Sequence, residues 1–163
     1  MKIRGLMMDP ITNMPIVILK EAAGAGILPI WVGVYEANAI MLEIEKVVTP
    51  RPMTHDLVTD MLAQLDAQVT RITVTELKEN TFYASITVQQ NGSEIEIDSR
   101  PSDAIALAVR ADAPIFAAED VIEESAIEFE GEDVNEEEIV SEFKQFLDHV
   151  TPDEFAEASD EED

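Results

Sequence analysis

Apolar and polar positions alternate with period two in some stretches of the chain and recur every three to four residues in others, which divides it into strands and helices. Residues 1–8 and 15–19 read as two short strands separated by Asp9, Pro10 and Asn13, all turn formers. Residues 22–26 (A-A-G-A-G) form a small loop whose glycines serve the turn. The run I-L-P-I-W-V-G at 27–33 contains a proline and so fits an edge strand or a strand start. Residues 35–46 place Ala37, Ile40, Met41 and Ile44 at helical spacing, continued by Val48, with Asn38, Glu43 and Glu45 opposite. That pattern predicts an amphipathic helix.

A second helix is expected from Thr54, a good N-cap, with Leu57, Met61, Leu62 and Leu65 as its stripe. Residues 68–79 and 82–89 alternate as strands around a turn at Asn80 and Thr81. Asn91-Gly92, a strong type I′ hairpin signal, leads into a half-buried strand ending at Asp98. This meander feeds the stretch I-E-I-D-S-R-P-S-D-A-I-A-L-A-V-R, residues 95–110, around which the chain is expected to be organised. Pro101 suits a first helical position, and the run 104–109 is apolar on every side, so a helix there must be covered by other elements. Residues 113–117 read as a last short strand, and from Glu119 the chain turns acidic. A helix over 135–150 would carry Ile139, Val140, Phe143, Phe146 and Leu147 along one stripe, and 157–163 has the composition of a disordered end. The expectation is an α+β fold: a single compact domain over 1–131, with mainly antiparallel strands packed around the helix 101–110, and an acidic C-terminal helical tail over 132–163.

The 163 residues, 46% hydrophobic, suit one domain with a true core and a tail. Without cysteine there is no disulfide, thiolate metal site or cysteine nucleophile. Asp9 and Pro10 cut the apolar run after Lys2 and Arg4 too early for a signal peptide, and no stretch approaches the roughly 20 apolar residues of a membrane span. A soluble cytoplasmic protein with no membrane partner is expected. The formal net charge of −25 is hostile to a nucleic-acid partner, whose phosphates attract Lys and Arg. Its distribution weakens that objection, because residues 1–118 carry a net of −6 and residues 119–163 a net of −19.

Two Arg-Pro helix starts hold the candidate chemistry, one with Arg51, Thr54, His55 and Asp56, the other with Asp98, Arg100, Ser102 and Asp103. If the fold joins them, one explanation is a network of ion pairs and caps, such as Arg51 with Asp103 and Arg100 with Asp56, holding two helix ends. Another is a phosphodiester site. There Asp56, Asp98 and Asp103 would hold a divalent ion, Mg²⁺ or Mn²⁺, Arg51 and Arg100 would bind phosphate, and His55 would move a proton. A third is an anion cradle at helix starts, binding a phosphate-bearing ligand without turnover. Glu36 most simply complements a helix dipole, and His149 reads as a surface residue. There is no G-x-S-x-G elbow, dinucleotide fingerprint or Walker loop.

The strings L-P-I-W-V-G-V-Y-E-A-N-A-I (28–40), R-P-M-T-H-D-L (51–57) and D-S-R-P-S-D-A-I-A-L-A-V-R (98–110) together resemble the bifunctional nuclease family. The F-Y-A segment at 82–84, A-P-I-F at 113–116 and the tail string F-L-D-H-V-T-P-D-E-F at 146–155 resemble it too. The resemblance implies a compact α+β domain, commonly oligomeric, in a family credited with cleaving both DNA and RNA. It carries over the motif positions Arg51, His55, Asp56, Asp98, Arg100 and Asp103, with Glu36 as an outlying candidate. Some relatives carry an extra interaction module where this chain has an acidic tail. The expected function is therefore a metal-assisted nuclease of low sequence specificity acting on DNA and RNA, with catalytic His55, Asp56, Asp98 and Asp103 and phosphate-binding Arg51 and Arg100, in a homo-oligomer. The alternative is a non-catalytic regulatory or scaffold protein whose Arg/Asp cluster is structural.

Overall fold

The computed structural model describes residues 1–128, and the expected helix over 135–150 and the tail lie outside them. Two four-stranded sheets share one buried core with helices of the chain. In chain order the elements are β1 (Lys2–Met8), β2 (Pro15–Lys20), β3 (Gly26–Trp31), α1 (Val34–Ile44), α2 (Thr54–Gln64), β4 (Ala67–Lys78), β5 (Thr81–Gln90), β6 (Ser93–Ser99), α3 (Pro101–Ala111), β7 (Ile115–Ala117), α4 (Glu119–Ser125) and β8 (Ile127–Glu128). The first sheet has the order β1-β2-β3-β8 and the second β6-β5-β4-β7; only β4 and β7 pair in parallel. This is the α+β class expected. Pro29 sits beyond the two residues of β3 that pair with β8, so its missing N–H leaves no ladder bond unmade on that edge.

The tight turns follow the residues that specify them. Asn91 and Gly92 both have positive φ, 51° and 78°, as a type I′ hairpin requires, and Glu79 and Asn80 make the same kind of turn before β5. Between β1 and β2, the buried carboxylate of Asp9 accepts hydrogen bonds from Ile11 N–H (2.9 Å), the Thr12 hydroxyl (2.6 Å) and the Trp31 indole N–H (3.2 Å). Burial alone would push this carboxyl up; the Thr12, Ile11 and Trp31 donors outweigh it and hold it below the ordinary value.

Helix α3 is the centre of the molecule. It leaves one edge strand, β6, crosses the sheet and delivers the chain to the opposite edge at β7. Ala104, Ile105, Ala106, Leu107 and Ala108 are all buried, in one cluster with Val17, Leu19, Leu28 and Ile30 of the first sheet and Ile72, Val74, Ile86 and Val88 of the second. Burial of Ile105 and Leu107 is worth about 1.5–3 kcal/mol each. The alanines let neighbouring backbones come close. A smaller cluster, Ile16, Ile18 and Ile27 with Met7, Trp31 and Ile127, covers the other face of the first sheet.

Several expectations need correction. Helix α1 ends at Ile44, with Lys46 in the left-handed region, so Val48 falls outside the helical stripe and is 93% exposed. The N-cap of α2 is Met53 rather than Thr54. Of its expected stripe only Leu62 faces inward, beside Val58; Leu57, Met61 and Leu65 are exposed. On β6, read as half-buried, Ile95 and Ile97 are exposed on what is an edge strand of its sheet. Within the acidic stretch after residue 118, α4 buries Val121 and β8 returns to pair with β3.

Candidate active site

Helices α1 and α3 lie side by side, and the first turn of α2 meets α3. Arg100, the N-cap of α3, donates from Nε to Asp103 Oδ2 (2.8 Å) and from Nη2 to Glu36 Oε1 in the first turn of α1 (2.9 Å). Asp103 Oδ1 is bonded to His55 Nε2 at 2.9 Å, in the first turn of α2. Three helix N-termini are thus tied together by one imidazole, one guanidinium and two carboxylates. The positive dipole ends gathered there favour negative charge, which Glu36, Asp56 and Asp103 now supply.

Each position has a local cause. Pro101 at the start of α3 needs no N–H partner and fixes where the helix begins, which points Arg100 and Asp103 to the same end. Gly33 caps α1 in extended geometry, and a Cβ there would lie 2.2 Å from Glu36 Oε2. The missing side chain lets the Glu36 carboxylate fold back over the helix start. At α2, Asp56 Oδ2 accepts the Met53 N–H at 2.9 Å.

Arg110 is a second centre, given no role by the sequence pattern. Its side chain is 5% exposed, and it donates to Asp56 Oδ1 (2.6 Å), Ala106 O (2.9 Å) and Ala39 O (3.0 Å), so a single guanidinium joins α2, α3 and α1. The Arg110 hydrogen bond holds the Asp56 carboxyl below the ordinary value despite its partial desolvation. Asp103 and Glu36 in turn raise Arg100 above the usual arginine value. A charge at the end of an otherwise apolar helix needs a buried partner, and that was the available signal for Arg110.

The six motif residues therefore separate. His55, Asp103 and Arg100 form one linked group and Glu36 joins it, while Asp56 belongs to the Arg110 staple. The expected pairs Arg51 with Asp103 and Arg100 with Asp56 are replaced by these. Arg51 is exposed and its side chain makes no ion pair among the described residues. Asp98 is exposed on β6, and strand alternation puts it on the face of Glu94 and Glu96, where Glu96 accepts from Thr87 Oγ1 at 2.7 Å. Among the described residues no three metal-ligating side chains converge, so Asp56, Asp98 and Asp103 do not make a ready cage.

The site lies at the surface. A cleft of about 740 Å³, lined in part by Lys2, Arg4, Glu43, Asp112 and Phe116, is at the other, C-terminal end of α1 and α3.

The bifunctional nuclease domain model matches residues 17–130, which span every residue of the cluster. The chain belongs to the bifunctional nuclease domain family. Within it, the chain is 38% identical over 160 residues to an uncharacterised protein of Mycobacterium tuberculosis strain H37Rv, covering 94% of this chain and 96% of that protein. It is 32% identical over 105 residues to Bifunctional nuclease 1 of Arabidopsis thaliana and 30% identical over 104 residues to Bifunctional nuclease of Oryza minuta. Those matches cover 62% and 61% of this chain but only 32% and 31% of the plant proteins. For a member of the bifunctional nuclease family, the exposed part of the cluster is the natural candidate site. Among the described residues no helix is long and apolar enough to cross a membrane.

Proposed function

We propose that the chain hydrolyses phosphodiester bonds in nucleic acid, with His55, Asp103 and Arg100 as the working group. The observation that carries this reading is the continuous bonding from imidazole to carboxylate to a guanidinium that is 64% exposed. With Asp103 accepting from Nε2–H, the Nδ1 lone pair of His55 is the base, able to take a proton from the attacking hydroxyl or water. Asp103 holds the tautomer and stabilises the imidazolium that forms. Arg100 turns Nε and Nη2 toward Asp103 and Glu36, and Nη1, with no partner among the described residues, is placed to bind the phosphate oxygens as charge builds on them. Arg51, exposed before α2, adds a contact to a neighbouring phosphate.

A divalent ion, Mg²⁺ or Mn²⁺, enters the proposal through Asp103 and Glu36, the carboxylates that Arg100 bridges. Mg²⁺ commonly uses one or two carboxylates and completes its shell with water and phosphate. Bound there, it would neutralise phosphate charge. The proposal also includes a homo-oligomer in which two copies of the exposed Leu57, Met61 and Leu65 stripe of α2 pack together, an apolar row bordered by the exposed Asp60. Met61→Glu should then lower the mass found by sedimentation equilibrium.

A second reading, a regulatory or scaffold protein, is supported by the Arg110 staple, in which one buried guanidinium bonds to three helices. One experiment separates the two. Cleavage of single-stranded RNA and double-stranded DNA is followed with Mg²⁺, Mn²⁺ or EDTA for wild type, His55→Ala, Asp103→Asn and Arg100→Ala, all purified identically. The nuclease reading expects about a 100-fold or greater loss in His55→Ala with little change in melting temperature. No cutting by any of the proteins, with melting lowered mainly by Arg100→Ala, supports the scaffold.

A further inference from the structure

The exposed residues that flank the charged cluster in sequence are apolar and aromatic. Tyr35 and Val34, the first residues of α1, are 89% and 63% exposed, and Met53, the N-cap of α2, is 44% exposed. Tyr35 directly precedes Glu36, which holds Arg100, so the two Cα atoms are about 3.8 Å apart. Single exposed hydrophobic residues are ordinary on a protein surface. Here they flank one group of charges along the chain: Val34 and Tyr35 precede Glu36, which holds Arg100, and Met53 lies between Arg51 and His55.

A ligand that satisfies such a surface has both an anionic and a flat apolar part. We propose that Tyr35 is a stacking platform for a nucleobase and that the site therefore selects single-stranded nucleic acid, with unpaired nucleotides, over duplex. The inference rests on the phosphodiester reading above and names its substrate class. In a duplex the bases are stacked on one another, and only phosphates, sugars and groove edges reach the protein; the arginines would be used and Tyr35 would not. In a single strand a splayed base can lie on the phenol ring while the flanking phosphates meet Arg100 and Arg51, the usual combination of aromatic and cationic contacts for single strands.

Charge favours the same choice. Duplex DNA carries two phosphates per base-pair step and a single strand one per nucleotide. A chain with a formal net charge of −25 repels the duplex more strongly along the same length of contact. Stacking, which adds no charge, then supplies binding that the few basic residues cannot.

The test measures binding and cutting separately. Binding is read by fluorescence anisotropy of a labelled mixed-sequence single strand and of its blunt duplex, using His55→Ala so that the probe survives. Tyr35→Ala and Tyr35→Trp are added in that background and also in wild type for cleavage. Tyr35→Ala should weaken single-strand binding about ten-fold or more and slow single-strand cutting, leave duplex binding unchanged, and be rescued by Tyr35→Trp. Because the side chain is exposed, the melting temperature should stay within error in all three.

If wild type cuts single strands and Tyr35→Ala cuts and binds them equally well, the platform is overturned and the nuclease reading stands. Equal losses on both probes also overturn it. Tyr35-dependent single-strand binding without cutting would keep the platform and remove the nuclease. Binding to neither probe would remove both.

Discussion

Arg110 and Asp56 show what single residues do here. Asp56 stood out in the sequence as part of R-P-M-T-H-D, yet its partner is a residue that no motif reading selected. The reason is physical: Arg110 and Asp56 are 54 positions apart, and only the docking of α2 on α3 makes them neighbours. Asp56→Asn leaves a guanidinium that is 5% exposed without its carboxylate, and should lower unfolding free energy by about 3 kcal/mol at pH 7. The pH dependence has a definite sign. The folded carboxyl is held below its unfolded value of about 4, so its contribution is complete above that pH and is lost as pH falls through the lower, folded value. Urea titrations should therefore find the gap between wild type and Asp56→Asn smaller at pH 3 than at pH 7.

At the scale of elements, legibility followed the source of the signal. Helix α3, the β4-β5-β6 meander and the turn at Asn91-Gly92 were readable because apolar continuity and turn chemistry are local. The stripe of α2 misled because an amphipathic pattern states that a face is apolar, not what covers it. Short α4 and two-residue β8 carry too few periods to register, and their places depend on β3 and β4. In the candidate site, residue types were legible and partners were not; Asp98 dropped away because strand alternation set it on the other face. The small residues of α3 give a prediction of their own. Ala106 is fully buried, and Ala106→Leu would overpack the core by three heavy atoms, at a cost of about 1–3 kcal/mol, measurable as a lower denaturation midpoint. Because the Ala106 carbonyl also receives Arg110, displacing this turn should loosen the staple as well.

For the whole molecule the governing quantity is charge. Residues 132–163 carry a formal net of −13, more than half of the total of −25. A segment of the same sign as the proposed substrate raises the electrostatic work of bringing the two together. Removing residues 132–163 should tighten nucleic-acid binding, with the gain largest at low salt and fading as the Debye length falls to about 8 Å near 0.15 M. Equal affinities with and without the segment at low salt would rule out that screening role.

The bond from the Trp31 indole to Asp9 gives the protein a built-in optical reporter. Trp31 is the only tryptophan in the chain, so all indole emission comes from one place, on the smaller cluster of the first sheet. The Asp9 carboxyl titrates below the ordinary aspartate range, and protonation on acidification changes the acceptor facing the indole. Emission should hold steady through neutral pH and shift only in strong acid. A shift at neutral pH on adding an oligonucleotide would then mean that binding at the helix starts is felt across the core, in a sheet the substrate never touches.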